Sequence, residues 1–136
     1  MEYLAQINWV TVLIATVVGF GLGAIWFNPK VFGTAWMADL GKTRADFTTG
    51  PAKSMGLSFF TTFLSAFGLA WLIHITRALS LVGGAKVGLL VGLAFIATSY
   101  WSDGLFAETK TRLIAITAGH RVLMFTIMGA ILGMWK

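Results

Sequence analysis

Four apolar runs, each of about 20 residues, dominate the chain, and each is closed by a break in the pattern. The first, Trp9 to Phe27, follows Asn8 and stops at Asn28-Pro29, where proline and the restricted residue before it discourage a continued helix. The second opens near Pro51, a residue tolerated in a first helical turn, and stays apolar from Leu57 to Ile75 before Arg77. The third runs from Gly83 to Trp101 and meets Asp103, and the fourth runs from Leu113 to Trp135 with His120-Arg121 in its first half. At about 1.5 Å per residue, each run is long enough to cross a hydrocarbon core of about 30 Å. The runs are continuous rather than alternating, which favours helices over barrel strands. The pattern therefore predicts an all-α integral membrane four-helix bundle, one transmembrane domain over residues 1–136, with spans at about 8–28, 51–77, 84–107 and 112–135.

The connection between the first two spans has a pattern of its own. Phe32, Trp36 and Leu40 recur every fourth residue, which gives one apolar face to a short amphipathic helix at about 31–41. Lys30, Lys42 and Arg44 flank it, so the expectation is an interfacial helix with Phe32 and Trp36 as anchors at headgroup depth. The alternative is a lid over a cavity.

Composition agrees with a membrane location and narrows the chemistry. Of 136 residues, 57% are hydrophobic and 11% charged, against roughly 45–50% and about 25% in soluble domains. A separate soluble catalytic domain is not expected. The chain has no cysteine, which excludes disulfides, a thiolate nucleophile and cysteine-bound metal. The first span is not expected to be a cleaved leader, because Glu2 precedes it without Lys or Arg and no small-residue cleavage pattern follows.

The net charge is +5. Lys30, Lys42, Arg44 and Lys53 follow span one and Lys110 and Arg112 follow span three, against Arg77, Lys86 and Lys136 on the other side. Basic loops favour the cytoplasmic face, so both termini are expected outside. Loop bias and anionic headgroups account for the charge without nucleic acid.

Every span carries small residues in a stripe: Gly19 and Gly23 in the first; Ser58, Thr62, Ala66 and Ala70, leading to His74, in the second; Gly84, Gly88 and Gly92 in the third; Gly129 and Gly133 in the fourth. Such stripes let helix backbones approach closely, the main route to helix association in lipid. The partners lie either within one chain or between chains. A bundle this thin encloses little volume, so a pore or roomy site is easier to build between protomers, and a homo-oligomer, a dimer or trimer, is expected.

Chemistry inside the membrane rests on few residues. Arg121 lies about nine residues into its span, and an arginine at mid-span costs about 2.5–3.5 kcal/mol on insertion scales. Asp103, near the same end of span three, is the expected partner. The pair would either lock two helices together or handle an anion or proton. His120 points about 100° from Arg121 on a helix, so the two are not expected to face one partner. A bond from neutral His120 to a backbone carbonyl or hydroxyl is the simpler expectation beside a ligand or proton-carrying role. Ser99, Tyr100 and Ser102 could complete a polar pocket with Asp103, or bond to their own helix. His74 and His120 should differ in depth by more than one haem bridges within a chain. No di-metal constellation, phosphate loop or serine elbow is present, so no cofactor, metal site or catalytic residue is assigned. Asp39 and Asp46 are expected as loop or interface groups, and Glu108 with Lys110 and Arg112 as a solvated turn.

The order Asn8-Trp9, Gly19-Phe20-Gly21-Leu22-Gly23-Ala24-Ile25-Trp26-Phe27-Asn28-Pro29, Phe32-Gly33-Thr34-Ala35-Trp36-Met37 and Met128-Gly129-Ala130-Ile131-Leu132-Gly133-Met134-Trp135 resembles the small bacterial membrane proteins grouped as domain of unknown function 1761. Pro51-Ala52-Lys53 and Ala118-Gly119 extend the resemblance over nearly the whole chain. It implies four membrane helices in a bacterial cytoplasmic (inner) membrane, and no activity. The family tends to aromatic residues after Ala118-Gly119, from which His120-Arg121 departs.

Three functions compete on the sequence alone. A binding or transport module would admit a small solute or lipophilic molecule, or a lipid, with Asp103, His120 and Arg121 setting selectivity and Arg121 favouring an anionic or polar headgroup. A scaffold would use the aromatic loop to meet a larger membrane partner. A membrane enzyme acting on a lipid-soluble substrate through His120 or Asp103 ranks last, since no activated nucleophile or metal set is visible.

Overall fold

The computed structural model describes residues 6–41 and 51–134. Glu2, Lys42, Arg44, Asp46, Trp135 and Lys136 lie outside the described residues. Among those described, the long helices are α1 (Trp9–Trp26), α3 (Pro51–Thr76), α4 (Leu81–Phe106) and α5 (Thr111–Met134), with a short α2 (Thr34–Leu40) between the first two. All four long helices are long and apolar enough to cross a membrane. The chain is an all-helical bundle compatible with a multi-pass membrane protein.

Local sequence accounts for where the helices begin and end. The Asn8 side chain caps α1 by accepting from the Thr11 amide at 3.2 Å, and Ser80 caps α4 by accepting from the Gly83 amide at 2.9 Å. Asn28 accepts from the Lys30 amide and opens a π turn, Pro29–Gly33, that leads into α2. Gly41, at φ 71°, closes α2 in the left-handed conformation that glycine adopts without steric cost. Within α4 a π-helical stretch, Val91–Ala97, separates two α-helical parts.

The fourth span, α5, lies at the centre of the bundle. Of its apolar stretch 44% is buried, against 28%, 22% and 17% in α1, α3 and α4. Val12 and Ala15 of α1, Ala66, Leu69 and Ile73 of α3, and Met124, Phe125, Met128 and Leu132 of α5 form the buried core. Leu13, Val17, Ile25, Phe60, Leu64, Ile75, Leu93 and Phe95 face outward, as lipid-facing side chains do.

Helices α4 and α5 run antiparallel with almost no side chain between them. A Cβ on Gly84 would run into the Gly129 carbonyl oxygen, one on Gly88 into the Phe125 carbonyl oxygen, and one on Gly133 into the Ser80 carbonyl oxygen. The glycine stripes of the third and fourth spans are thus consumed within one chain. Gly19 packs more softly, on Met124 and Met128 of α5, where flexible thioethers fill the gap. In α3, Ala66 is buried with no exposed surface and Gly68 has open space around it.

Candidate functional site

The cytoplasm-facing half expected from the charge pattern is the half where α1 ends and α5 begins, and a cluster of rings holds it together. Trp26 packs on Phe32 with centroids 4.6 Å apart, and Phe27 on Trp36 at 4.8 Å. Both rings expected as interfacial anchors therefore lie against the end of α1, because the turn at Asn28-Pro29 folds α2 back onto it. His120 sits edge-on to Phe27 at 5.0 Å and tilted to Trp26 at 6.3 Å. Asp39 of α2 receives two hydrogen bonds from Arg112 of α5, both at 2.8 Å. Glu108, Lys110 and Arg112 are all exposed, as expected of a solvated turn, and the Arg112 side chain, 61% exposed, reaches from there to an Asp39 side chain that is 6% exposed. The Arg112 guanidinium holds the Asp39 carboxyl below its ordinary value.

Directly beside this cluster a cleft of about 200 Å³ opens between α1, α3 and α5. Gly19, Gly23 and Phe27 line it from α1, Met55, Ser58 and Thr62 from α3, and Thr117, His120, Arg121 and Met124 from α5. Gly23 is what admits the imidazole: a Cβ there would stand 3.3 Å from His120 Nε2.

Two polar atoms on this wall are buried without a hydrogen-bond partner among the described residues, His120 Nε2 and Thr117 Oγ1. His120 is 6% exposed. The expected bond to a carbonyl or hydroxyl is not made by Nε2. Thr117 is equally unusual in this bundle. Thr16, Thr62, Thr76, Thr98 and Thr126 each return the hydroxyl to the carbonyl four residues back, at 2.7–2.8 Å, the ordinary way a helix satisfies a buried threonine. Leaving such a group unpaired costs about 1–3 kcal/mol.

The structure regroups the residues singled out from the sequence. Arg121 and Asp103 form no ion pair; among the described residues the salt bridge is Arg112 to Asp39. The reason is angular. Viewed down α5, the face that meets α4 (Val122, Gly129) lies about 80–100° to one side of Arg121, whereas Thr117 and Met124 lie about 40–60° to the other. Asp103 and Ser99 are exposed on α4 and Tyr100 is half-buried there, and none of the three lines the cleft. His120 and Arg121 do share one cleft despite their 100° offset, because the gap between α1 and α3 exposes a broad arc of α5. Thr117, Ser58 and Thr62 join the site. A signal for Thr117 was present: threonine, histidine and arginine at i, i+3 and i+4 lie on one helical flank.

A second cleft, of about 260 Å³, lies at the opposite end of the same seam, lined by Asn8, Thr11, Ile73, His74 and Leu132 among others. It is larger, but two of its polar side chains are engaged: Asn8 caps α1, and His74 has an interaction partner. Among the described residues, the buried polar atoms without a partner are at the His120 end.

No curated protein and no solved structure matches the chain. The family model described as "Protein of unknown function (DUF1761)" matches residues 10–133, nearly its whole length, and the chain belongs to that family.

Proposed function

We propose that this protein is a membrane-embedded binding or transport module that takes a small solute or lipophilic molecule into the cleft between α1, α3 and α5. The observation that supports this reading is the pair of buried, unpartnered polar atoms, His120 Nε2 and Thr117 Oγ1, on the wall of an open cleft that Arg121 also lines. A buried polar group without a partner is a standing cost. A ligand that accepts or donates hydrogen bonds there offsets it. The scaffold alternative asks Phe32 and Trp36 to meet a larger membrane partner, but Trp26 and Phe27 already engage those rings. An enzyme using His120 together with Asp103 is disfavoured, since Asp103 does not reach the cleft.

In this reading the protein resides in the bacterial cytoplasmic membrane with both termini outside, as the Lys and Arg distribution favours. A homo-oligomer, a dimer or trimer, is part of the proposal. With the glycine stripes spent inside the chain, its support is the apolar groove of about 400 Å³ on the outer face of α4 and α5, lined by Ala97, Trp101, Ala115 and Ala118.

Native mass spectrometry from a mild detergent or nanodisc tests both parts. The expected result is a defined oligomer carrying a reproducible extra mass that Arg121→Leu loses. A bare wild-type protein, or retention that R121L leaves unchanged, overturns the binding role, and a monomer overturns the oligomer.

A further inference from the structure

Besides the Ser58 hydroxyl of α3, the donors of the cleft lie within about one turn of α5, and the formal charge among them is positive. Arg121 is a permanent cation that, inside a span, calls for a counter-charge. The described carboxylates do not supply one. Asp39 is held by two hydrogen bonds from Arg112, while Asp103 and Glu108 are exposed and neither forms an ion pair. Beside Arg121, Thr117 Oγ1 has a proton to give and is not using it on its own helix, and neutral His120 with its proton on Nε2 is a further donor.

We infer that the ligand of this cleft is an oxyanion, a carboxylate or phosphate group, seated against Thr117, His120 and Arg121. The inference rests on the binding role proposed above and adds the chemical class. An oxyanion offers several lone pairs on a compact charged group, which matches three donors lining one cleft, and charge-assisted hydrogen bonds are about twice as strong as neutral ones. A single neutral carbonyl leaves the arginine charge uncompensated. Size agrees with a head rather than a whole lipid, since an engineered cavity of about 150 Å³ takes up benzene and this cleft is about 200 Å³. Apart from Ser58 and Thr62 the rest of the lining is apolar, with Phe20, Phe27, Met55 and Met124 offering a path for a hydrocarbon tail, and Ala24, Met55 and Ser58 are exposed. The anion is therefore either the head of an amphiphile or a free solute.

The full-length protein in phosphatidylcholine nanodiscs, titrated with octanoate, inorganic phosphate and octanol and followed by calorimetry and native mass spectrometry, separates these cases. Octanoate is expected to bind, Arg121→Gln to weaken it by about tenfold or more, Arg121→Lys to restore part of the loss, and Thr117→Val to weaken it several-fold. Phosphate displacing octanoate identifies a free-anion site; octanoate binding that phosphate does not disturb identifies an amphiphile head. Because R121Q removes a charge from a span it should not impair folding, which its thermal midpoint verifies. Octanol binding as well as octanoate, or anion binding indifferent to R121Q, overturns the oxyanion assignment and leaves a neutral-ligand module standing. If none of the three probes binds and no mass is retained, the binding role fails with it.

Discussion

The indole Nε1 of Trp26 donates to the carbonyl oxygen of Ile116 at 3.0 Å, tying the last residue of α1 to the second turn of α5 across 90 positions of chain. Gly119 leaves the room for it: a Cβ there would stand 3.3 Å from the Trp26 ring. The same indole forms one wall against His120. The contact is thus both a clamp between two spans and a support for the imidazole.

Trp26→Phe keeps an aromatic ring and deletes the donor. It should cost about 0.5–1.5 kcal/mol, the net worth of one such bond, read as a lowered midpoint in thermal unfolding in detergent. An unchanged midpoint would mean that the bond contributes nothing to holding the two helices.

Glycines of one type should respond in opposite ways. Gly88→Ala forces a methyl against the Phe125 carbonyl and must part α4 from α5, an overpacking cost of about 1–3 kcal/mol. Gly21→Ala and Gly56→Ala meet nothing within 4 Å and should gain up to about 1 kcal/mol from helix propensity. Comparing the three midpoints checks the α4–α5 interface directly; equal losses at Gly88 and Gly21 would contradict it.

The Asp39–Arg112 pair makes stability depend on acid. Since hydrogen bonding from Arg112 lowers the Asp39 pKa from 3.8, its contribution is fully present above that value and is lost as the pH falls below it through the folded-state value. Wild type should therefore be more stable than Asp39→Asn near neutrality, with the gap closing below about pH 4. Midpoints measured for both proteins between about pH 3 and about pH 7 would show convergence at the acid end, and a constant gap would argue against the pairing.

Thr117→Val should separate stability from function. The swap keeps the shape and removes a buried hydroxyl that has no partner among the described residues, so stability should rise by about 1 kcal/mol or more while ligand retention falls. A destabilised T117V would show that the hydroxyl does have a partner in the folded protein.

The spans were legible because lipid imposes one rule on each segment by itself: backbone groups must be satisfied internally and the surface must be apolar. Asn8 before Trp9 and Asn28-Pro29 after Phe27 mark ends through local chemistry, and the glycine spacing in Gly84, Gly88 and Gly92 announced a close helix contact. The site was half legible. His120 and Arg121 stand out as polar residues in an apolar span, but depth alone pairs Asp103 with Arg121, and depth carries no information about which side of α5 a neighbour occupies.

By itself, then, the amino-acid order determined the number of membrane helices, their approximate limits, the short aromatic helix between the first two, and which residues were too polar for their surroundings. Only the tertiary structure decided how those residues pair. The α4 backbone fits the glycine face of α5 and is thereby kept away from Arg121; α1 and α3 cover the other flank and leave a gap over Thr117, His120 and Arg121; and Arg112 finds Asp39 in a helix that the turn at Pro29 folds back. Each of these is a matter of rotation about a helix axis and of closure between distant segments. Hydropathy along a chain reports depth and periodicity, and is blind to both.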